Sequence, residues 1–233
     1  MLHVNRLSKT FTIHNLGGKA IEGFRDVSFH LCQGEFLGLS GPSGSGKSSV
    51  LKCIYRTYLP TSGEVAYTPD DGESVRLESM SEQDFLRLRH REIGHVSQFL
   101  RVIPRVSALD VVAEPLLRRG MEPLQARSKA RALLERLRIP SYLFDAYPAT
   151  FSGGEQQRIN IARAVIWTPR LLLIDEPTAS LDKGSEKIVI EMLRELKQTG
   201  TSMIGIFHDR ELMQSVADRV LVLGNGSVPH GRA

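Results

Sequence analysis

Gly41-Pro42-Ser43-Gly44-Ser45-Gly46-Lys47-Ser48-Ser49 stands between two apolar stretches, Phe36 to Ser40 (FLGLS) and Val50 to Tyr58. It fits G-x-x-x-x-G-K-[ST], the pattern of a phosphate-cradling loop. The residue types follow from the task. Gly41, Gly44 and Gly46 permit positive φ, so the backbone N–H groups of Ser43, Ser45 and their neighbours can curl around phosphate oxygens. A helix beginning at the loop points its positive end at the same charge, with Ser49 in its first turn. Lys47 adds a point charge for the β- and γ-phosphates, and the Ser48 hydroxyl is a ligand for Mg²⁺. The setting agrees with the motif: a short buried strand leads in, and a helix leads out and is expected to run until Pro60 to Gly63.

Toward the C-terminus, Leu171-Leu172-Leu173-Ile174-Asp175-Glu176 reads as a buried strand ending in two acids. Ligands of α/β sheets bind outside the carboxyl ends of strands. Asp175 is therefore a candidate Mg²⁺ ligand beside Lys47, and Glu176 a candidate general base for an attacking water. Alone, acids at a strand end say little; with the glycine loop they say much more. Met203 to Phe207 and Val220 to Leu223 read as further strands, Ile188 to Lys197 and Glu211 to Ala217 as helices, and Asn225-Gly226 as a hairpin turn. Strands separated by helices imply a parallel sheet with right-handed crossovers. Toward the N-terminus, Leu2 and Val4, Phe11 and Ile13, and Val27, Phe29 and Leu31 alternate with polar neighbours, as half-buried strands do.

Composition narrows the class. The chain has 233 residues, 41% hydrophobic and 24% charged, so disorder and low-complexity classes are excluded. The net charge of +4 does not argue for nucleic acid. Cys32 and Cys53 have no metal-ligand spacing and are too few for a secreted scaffold. No apolar run is long enough to span a bilayer, and Met1 to Lys9 lacks a signal core, so the expected location is cytoplasmic, with any membrane contact made through another chain. Between Arg101 and Pro140 lie nine Arg or Lys and four Asp or Glu, so this segment carries more than the whole net charge. Within it Ala126, Ala130, Leu133, Leu134 and Leu137 form one helical stripe between Pro123 and Pro140; the plain reading of its arginines is a solvated face.

Phe151-Ser152-Gly153-Gly154-Glu155-Gln156-Gln157-Arg158 opens an apolar helical run, Ile159 to Val165. Ser152 followed by two glycines at a helix start makes a second anion site by the physics of the first. An ordinary N-cap turn accounts for Ser152, but not for the glycines followed by Glu-Gln-Gln-Arg. With this stretch the chain resembles the nucleotide-binding subunits of the ATP-binding cassette (ABC) ATPases. Ser152, Gly153, Gly154 and Gln156 match the signature loop, while Gly41 to Ser48 and Leu171 to Glu176 match the Walker A and Walker B motifs. The resemblance covers essentially the whole chain. It implies an α/β P-loop NTPase with a RecA-like parallel-sheet core, an N-terminal antiparallel β-subdomain and an inserted α-helical subdomain. One domain over 1–233 is expected, with 99–154 as the helical insertion and 1–98 plus 155–233 as the remainder.

The resemblance also implies roles. Phe11, otherwise as readily a core aromatic, would stack on adenine. Gln98 would contact Mg²⁺ along with Ser48 and Asp175. Ser180 and Asp182 would lie in the loop that crosses a dimer interface. His208 would sense the γ-phosphate, and Lys47, Glu176 and His208 would form the catalytic group. Two cassettes are expected to face each other head to tail, each ATP lying between one Walker A loop and the other subunit's signature loop.

The segment Gln98 to Leu117 closely resembles the L-type ABC subunit of the bacterial carbon–phosphorus lyase system, supported by Tyr55 to Pro60, Thr150 to Arg163 and Gly205 to Asp209. This implies a soluble lyase core as partner and a role in forming ribose 1-methylphosphonate 5-triphosphate from ATP and methylphosphonate. No residue here is demanded by the adenine displacement itself. Lipoprotein-release exporters share much of the same sequence, so a membrane-transporter motor is the alternative. A chromosome-associated ATPase is disfavoured, because no sustained heptads separate the Walker motifs. Phe99, Leu100, Val102 and Ile103 are expected to form an apolar docking patch, with core filling as the competing reading.

Overall fold

The computed structural model describes residues 1–13, 19–98, 100 and 104–224. The chain begins with β1 (Leu2–Ile13), β2 (Lys19–Leu31) and β3 (Phe36–Ser40), the last running into the glycine loop and α1 (Lys47–Ile54). Then come β4 (Ser62–Tyr67), β5 (Val75–Arg76), α2 (Glu82–Glu92) and β6 (Ile93–Val96). A helical stretch follows: α3 (Ala108–Arg118), α4 (Pro123–Arg136), single 3₁₀ turns and α5 (Gly153–Val165). The last part is β7 (Leu171–Asp175), α6 (Lys183–Gln198), β8 (Ser202–Ile206), α7 (Arg210–Gln214) and β9 (Arg219–Val222).

The strands form two sheets. One is antiparallel, in the order β2-β1-β4-β5; the other is parallel, in the order β6-β7-β8-β3-β9. In β7 every residue is buried, as a parallel strand covered on both faces requires. Its alternation divides the interior. Leu172 and Ile174 join the core formed with α3, α4, α5 and α6; Leu171 and Leu173 join the core shared with α1 and the antiparallel sheet. Burying one such side chain contributes roughly 1.5–3 kcal/mol. The two faces thus fasten a helical layer and a β layer to the same central sheet.

Several boundaries differ from the sequence expectation for physical reasons. Helix α1 stops at Ile54, well before Pro60, because Arg56 turns left-handed (φ 51°) and the Arg56 and Thr57 N–H groups bond to the Cys53 and Lys52 carbonyls. Helix α6 begins five residues ahead of Ile188, because the Asp182 side chain accepts from the Gly184 and Ser185 N–H groups. The stripe on α4 is confirmed at Ala126, Ala130, Leu134 and the following Leu137, all buried, while Leu133 is only partly buried. Leu100 is buried in the helical core, so it fills space there; Phe99, Val102 and Ile103 lie outside the described residues, as does the Asn225-Gly226 turn. Among the described residues no helix is long and apolar enough to cross a membrane.

Helix α2 escaped the sequence reading, and with it a buried polar contact. The Tyr67 hydroxyl donates to Glu92 Oε2 at 2.7 Å, and Arg170 Nη1 lies 3.6 Å from the same carboxyl group. Burial and the Glu92 hydrogen bond push the phenol pKa far up. The contact ties β4, α2 and the entry to β7 together.

Candidate nucleotide site

The parallel sheet explains why distant motifs share one edge. Leu39 is in register with Ile206, Ile206 with Asp175, and Ile174 with Val96. The residues just beyond these strand ends are Gly41, Glu176, Gln98 and His208. Strand β8 lies between β3 and β7, so His208 leaves the sheet between the glycine loop and the acidic pair.

In the loop, Gly44 and Gly46 adopt φ of 80° and 86°. A Cβ at Gly46 would lie 2.2 Å from the Gly23 carbonyl oxygen, so this turn is pressed against β2. Lys47 Nζ folds over the loop and donates to the Gly41 and Pro42 carbonyls at 2.9 and 2.8 Å. Desolvation lowers its pKa, while the carboxylates of Glu176 and Asp175 pull the other way. Ser43 is exposed, whereas Ser45 is buried and its Oγ lies 3.5 Å from Lys47 Nζ. Ser49 sits on the first turn of α1.

Ser48 Oγ donates to Asp175 Oδ1 at 2.9 Å, joining the Walker A and Walker B motifs directly. Asp175 is buried, and burial raises its pKa against the Ser48 hydrogen bond. Glu176 takes a left-handed φ of 50°, uncommon for a non-glycine residue, and its N–H bonds to the Ile206 carbonyl at 3.0 Å. Gln98 Nε2 donates to Glu176 Oε2 at 3.3 Å. Ser48, Asp175 and Gln98 offer hydroxyl, carboxylate and amide oxygens, the hard donors that suit Mg²⁺. A desolvated carboxylate held by a serine hydroxyl fits such an ion.

Phe11 lies on β1, in register with Ile21. Its ring is half-buried and packs so close to Gly23 that a Cβ there would meet it at 2.6 Å. Gly23 thus touches both the Phe11 ring and Gly46, which places the aromatic beside the phosphate loop. Two residues that carry no motif in the sequence join Phe11 here: the Tyr58 ring meets it edge-on at 5.2 Å between centroids, and Lys9 Nζ lies 5.2 Å from the Phe11 centroid.

The signature segment starts α5. Ser152 Oγ accepts from the Glu155 N–H, and the Glu155 carboxylate accepts in turn from the Ser152 N–H at 2.8 Å. The spacing Ser152-x-x-Glu155 is a capping-box signal legible in the sequence. The Ser152 hydrogen bonds lower the Glu155 pKa. A Cβ at Gly154 would lie 2.8 Å from the Ser180 carbonyl oxygen, and Arg158 Nη1 donates to Ser185 Oγ at 2.9 Å. The signature loop and the Ser180–Asp182 loop are therefore packed on each other. Hydrogen bonds from Ser185 and nearby N–H groups hold Asp182 down to about 2. Ser152, Gly153, Ser180 and Asp182 are exposed, and Gln156 is partly so, its amide donating to the Phe151 carbonyl at 3.0 Å.

Residues 24–179 match the sequence profile of the ABC transporter family. The chain belongs to that family. Among curated proteins it is 37% identical to the lipoprotein-releasing system ATP-binding protein LolD of Bordetella avium, over 99% of this chain and 96% of that protein. It is 36% identical to LolD of Shewanella sp. (strain MR-7), over 97% and 94%. It is 31% identical to the methionine import ATP-binding protein MetN of Vibrio vulnificus (strain YJ016), over 98% of this chain but only 64% of that longer protein. Among solved structures, the dimeric ATP-binding cassette MJ0796 in a post-hydrolysis state with ADP and Pi superposes with a TM-score of 0.88, at 29% identity over 99% and 97% of the two chains. The fold is an ABC cassette, combining the parallel sheet, the antiparallel sheet and the helical layer. These named relatives are transporter subunits, and none of them supports the lyase resemblance.

Proposed function

We propose that the chain is the ATP-hydrolysing subunit of a membrane transporter and works as a pair of cassettes. One observation carries the reading: Lys47 and Ser48, Gln98, Asp175 with Glu176, and His208 all leave one edge of a parallel sheet, with Ser48 already bonded to Asp175. In this reading the loop N–H groups and Lys47 bind the triphosphate, and Phe11 stacks on the base. Ser48, Asp175 and Gln98 would hold Mg²⁺, which when bound neutralises charge on the β- and γ-phosphate oxygens. Glu176 accepts a proton from the attacking water while Gln98 orients its carboxylate through the Nε2 hydrogen bond. His208 contacts the γ-phosphate. Ser152 and the start of α5 complete the site of a second copy. Gly153 and Gly154 carry N–H groups at the positive end of that helix, and those dipoles act on the phosphate only when the pair is closed. The Ser180 contact at Gly154 moves the signature and Ser180–Asp182 loops as one body.

LolD and MetN support a membrane-spanning partner, and LolD supports a lipoprotein-release exporter in particular. Identities of 31–37% spread over an exporter and an importer speak to the shared motor more than to cargo. A second reading, a motor on a soluble carbon–phosphorus lyase core serving phosphonate breakdown, rests on the likeness of Gln98 to Leu117 to the L-type subunit. Affinity capture of the full chain carrying Glu176→Gln, with MgATP, decides between them. Co-purification of a membrane-spanning chain from the detergent-solubilised fraction is the expected result. Recovery of lyase subunits from the soluble fraction instead would reject the transporter and establish the second reading. A variant that hydrolyses ATP at the wild-type rate would reject Glu176 as the base under either.

A further inference from the structure

Phe11 is braced by residues that belong to no nucleotide motif. Gly23 meets an edge of its ring, since a Cβ there would lie 2.6 Å from Phe11 Cε2. Tyr58 meets the same ring nearly at right angles, with 80° between the planes and 5.2 Å between centroids. Aromatic quadrupoles favour this T-shaped arrangement at such a separation. Lys9 Nζ, 5.2 Å from the Phe11 centroid, is within the range of a cation–π attraction.

Tyr58 is itself held in place. It lies just beyond the end of α1, and its N–H bonds to the Lys52 carbonyl at 3.1 Å, as the Thr57 N–H does at 2.8 Å. Its ring packs against the core beneath the antiparallel sheet and lies 5.6 Å from Lys52 Nζ. The backbone that follows is pinned to β1 on either side of Lys9. The Thr61 N–H bonds to the Ser8 carbonyl at 2.8 Å, and the Thr10 N–H to Thr61 Oγ1 at 3.0 Å. Lys9 Nζ donates to the Leu59 carbonyl at 2.8 Å. Tyr58 therefore stands on fixed main chain, whereas Phe11 is only half-buried and its ring takes its orientation from what abuts it. Helix α1 reaches Phe11 from both ends: from Gly46 at its start through Gly23, and from Tyr58 beyond its close.

We propose that Tyr58 is a positioning residue for nucleotide binding, its ring holding Phe11 in the orientation that stacks on the base. The phosphate loop and the base platform are then set relative to each other before nucleotide arrives. The proposal rests on the reading of Phe11 as the base-stacking residue. Tyr58 acts through Phe11 and does not touch the nucleotide. A ring fixed in advance loses less freedom on stacking, and the saving appears as affinity. The contact is ring to ring, so it needs the aromatic and not the hydroxyl.

The test compares MgATP with inorganic tripolyphosphate by calorimetry on the full chain, because tripolyphosphate can fill the glycine loop but carries no base. Tyr58→Leu should weaken MgATP about 3- to 10-fold, the range of one aromatic pair, and leave tripolyphosphate unchanged. Tyr58→Phe should restore MgATP affinity. Phe11→Ala should weaken MgATP at least as much as Tyr58→Leu, and combining the two should cost nothing further, the non-additivity of one residue acting through another. Should Tyr58→Leu misfold by circular dichroism, Tyr58→Met takes its place. Equal weakening of both ligands would make Tyr58 a packing residue alone, and unchanged MgATP affinity would make its contact idle; either overturns the proposal. An additive loss in the double variant overturns it too, because Tyr58 would then meet the nucleotide directly. If Phe11→Ala binds MgATP as wild type does, the base-stacking reading fails and the proposal falls with it. A loss in Phe11→Ala with none in Tyr58→Leu spares that reading and overturns the proposal alone.

Discussion

Two glycines of the phosphate loop share a left-handed φ and differ in what lies beside them, which makes them an informative pair. Gly44 (φ 80°) has open space where a Cβ would go, whereas a Cβ at Gly46 (φ 86°) would sit 2.2 Å from the Gly23 carbonyl oxygen and 2.8 Å from Phe24 Cβ. Gly44→Ala should therefore cost only the left-handed penalty, about 1–2 kcal/mol. If that falls wholly on the nucleotide-competent loop, ATP affinity drops roughly 5- to 30-fold. Gly46→Ala incurs the same penalty and also an overlap with the main chain of β2, which no rotamer change relieves. The loop must lift from Gly23, and because Gly23 also abuts the Phe11 ring, the phosphate loop and the aromatic proposed to stack on the base are disturbed together. The expected loss for Gly46→Ala is thus well beyond that for Gly44→Ala, on the order of 100-fold or more if the overlap adds a further ~1–3 kcal/mol of the kind overpacking brings. Titration of a fluorescent ATP analogue into each monomeric variant, with urea unfolding beside it, measures both effects. Equal ATP affinity in the two variants would show that contact with β2 does not shape the loop.

Glu176→Gln should slow hydrolysis about 10²–10³-fold while MgATP binding persists and ATP-dependent dimers accumulate, read by phosphate release and by light scattering. Ser152→Arg breaks the capping box and places a bulky cation on an exposed corner; turnover should fall to background while ATP binding to the isolated monomer is unchanged, and an active variant would exclude the shared site. Tyr67→Phe removes the buried 2.7 Å hydrogen bond to Glu92 and should lower unfolding stability by about 1–3 kcal/mol in urea titration, with ATP affinity unaffected. The Asp182 pKa is held to about 2, below its ordinary 3.8, so its contribution to stability is present above pH 4 and fades as pH falls toward 2. The stability gap between wild type and Asp182→Asn should narrow over that interval, and a constant gap would deny the carboxylate its charge-dependent role at the start of α6.

Much of the site was legible because its chemistry is local. The glycine loop needs its residues consecutive, and Asp175-Glu176 follow their strand without a break. The helix stripe from Ala126 to Leu137 was equally readable, since period and burial are both properties of one segment. Helix ends were less so. Pro60 looked like the stop for α1, but Arg56 turned the chain earlier through a left-handed conformation that an arginine does not advertise. Asp182 begins α6 as a cap, although the family resemblance drew attention to it only as a dimer-loop residue. Tyr58 carried no signal, because its use depends on where Phe11 comes to rest.

The sequence by itself supplied a glycine loop, an acidic strand end and a second glycine-led helix start, each a short-range pattern with a steric or electrostatic reason, and the resemblance of the three together pointed to one ABC cassette. Only the tertiary structure decided that Gln98 meets Glu176 and that Ser48 meets Asp175, 127 residues apart. It alone placed Gly46 against Gly23, Gly154 against Ser180, and Tyr58 against Phe11. Those pairings arise from strand order and crossover packing, which bring together residues that no local periodicity relates.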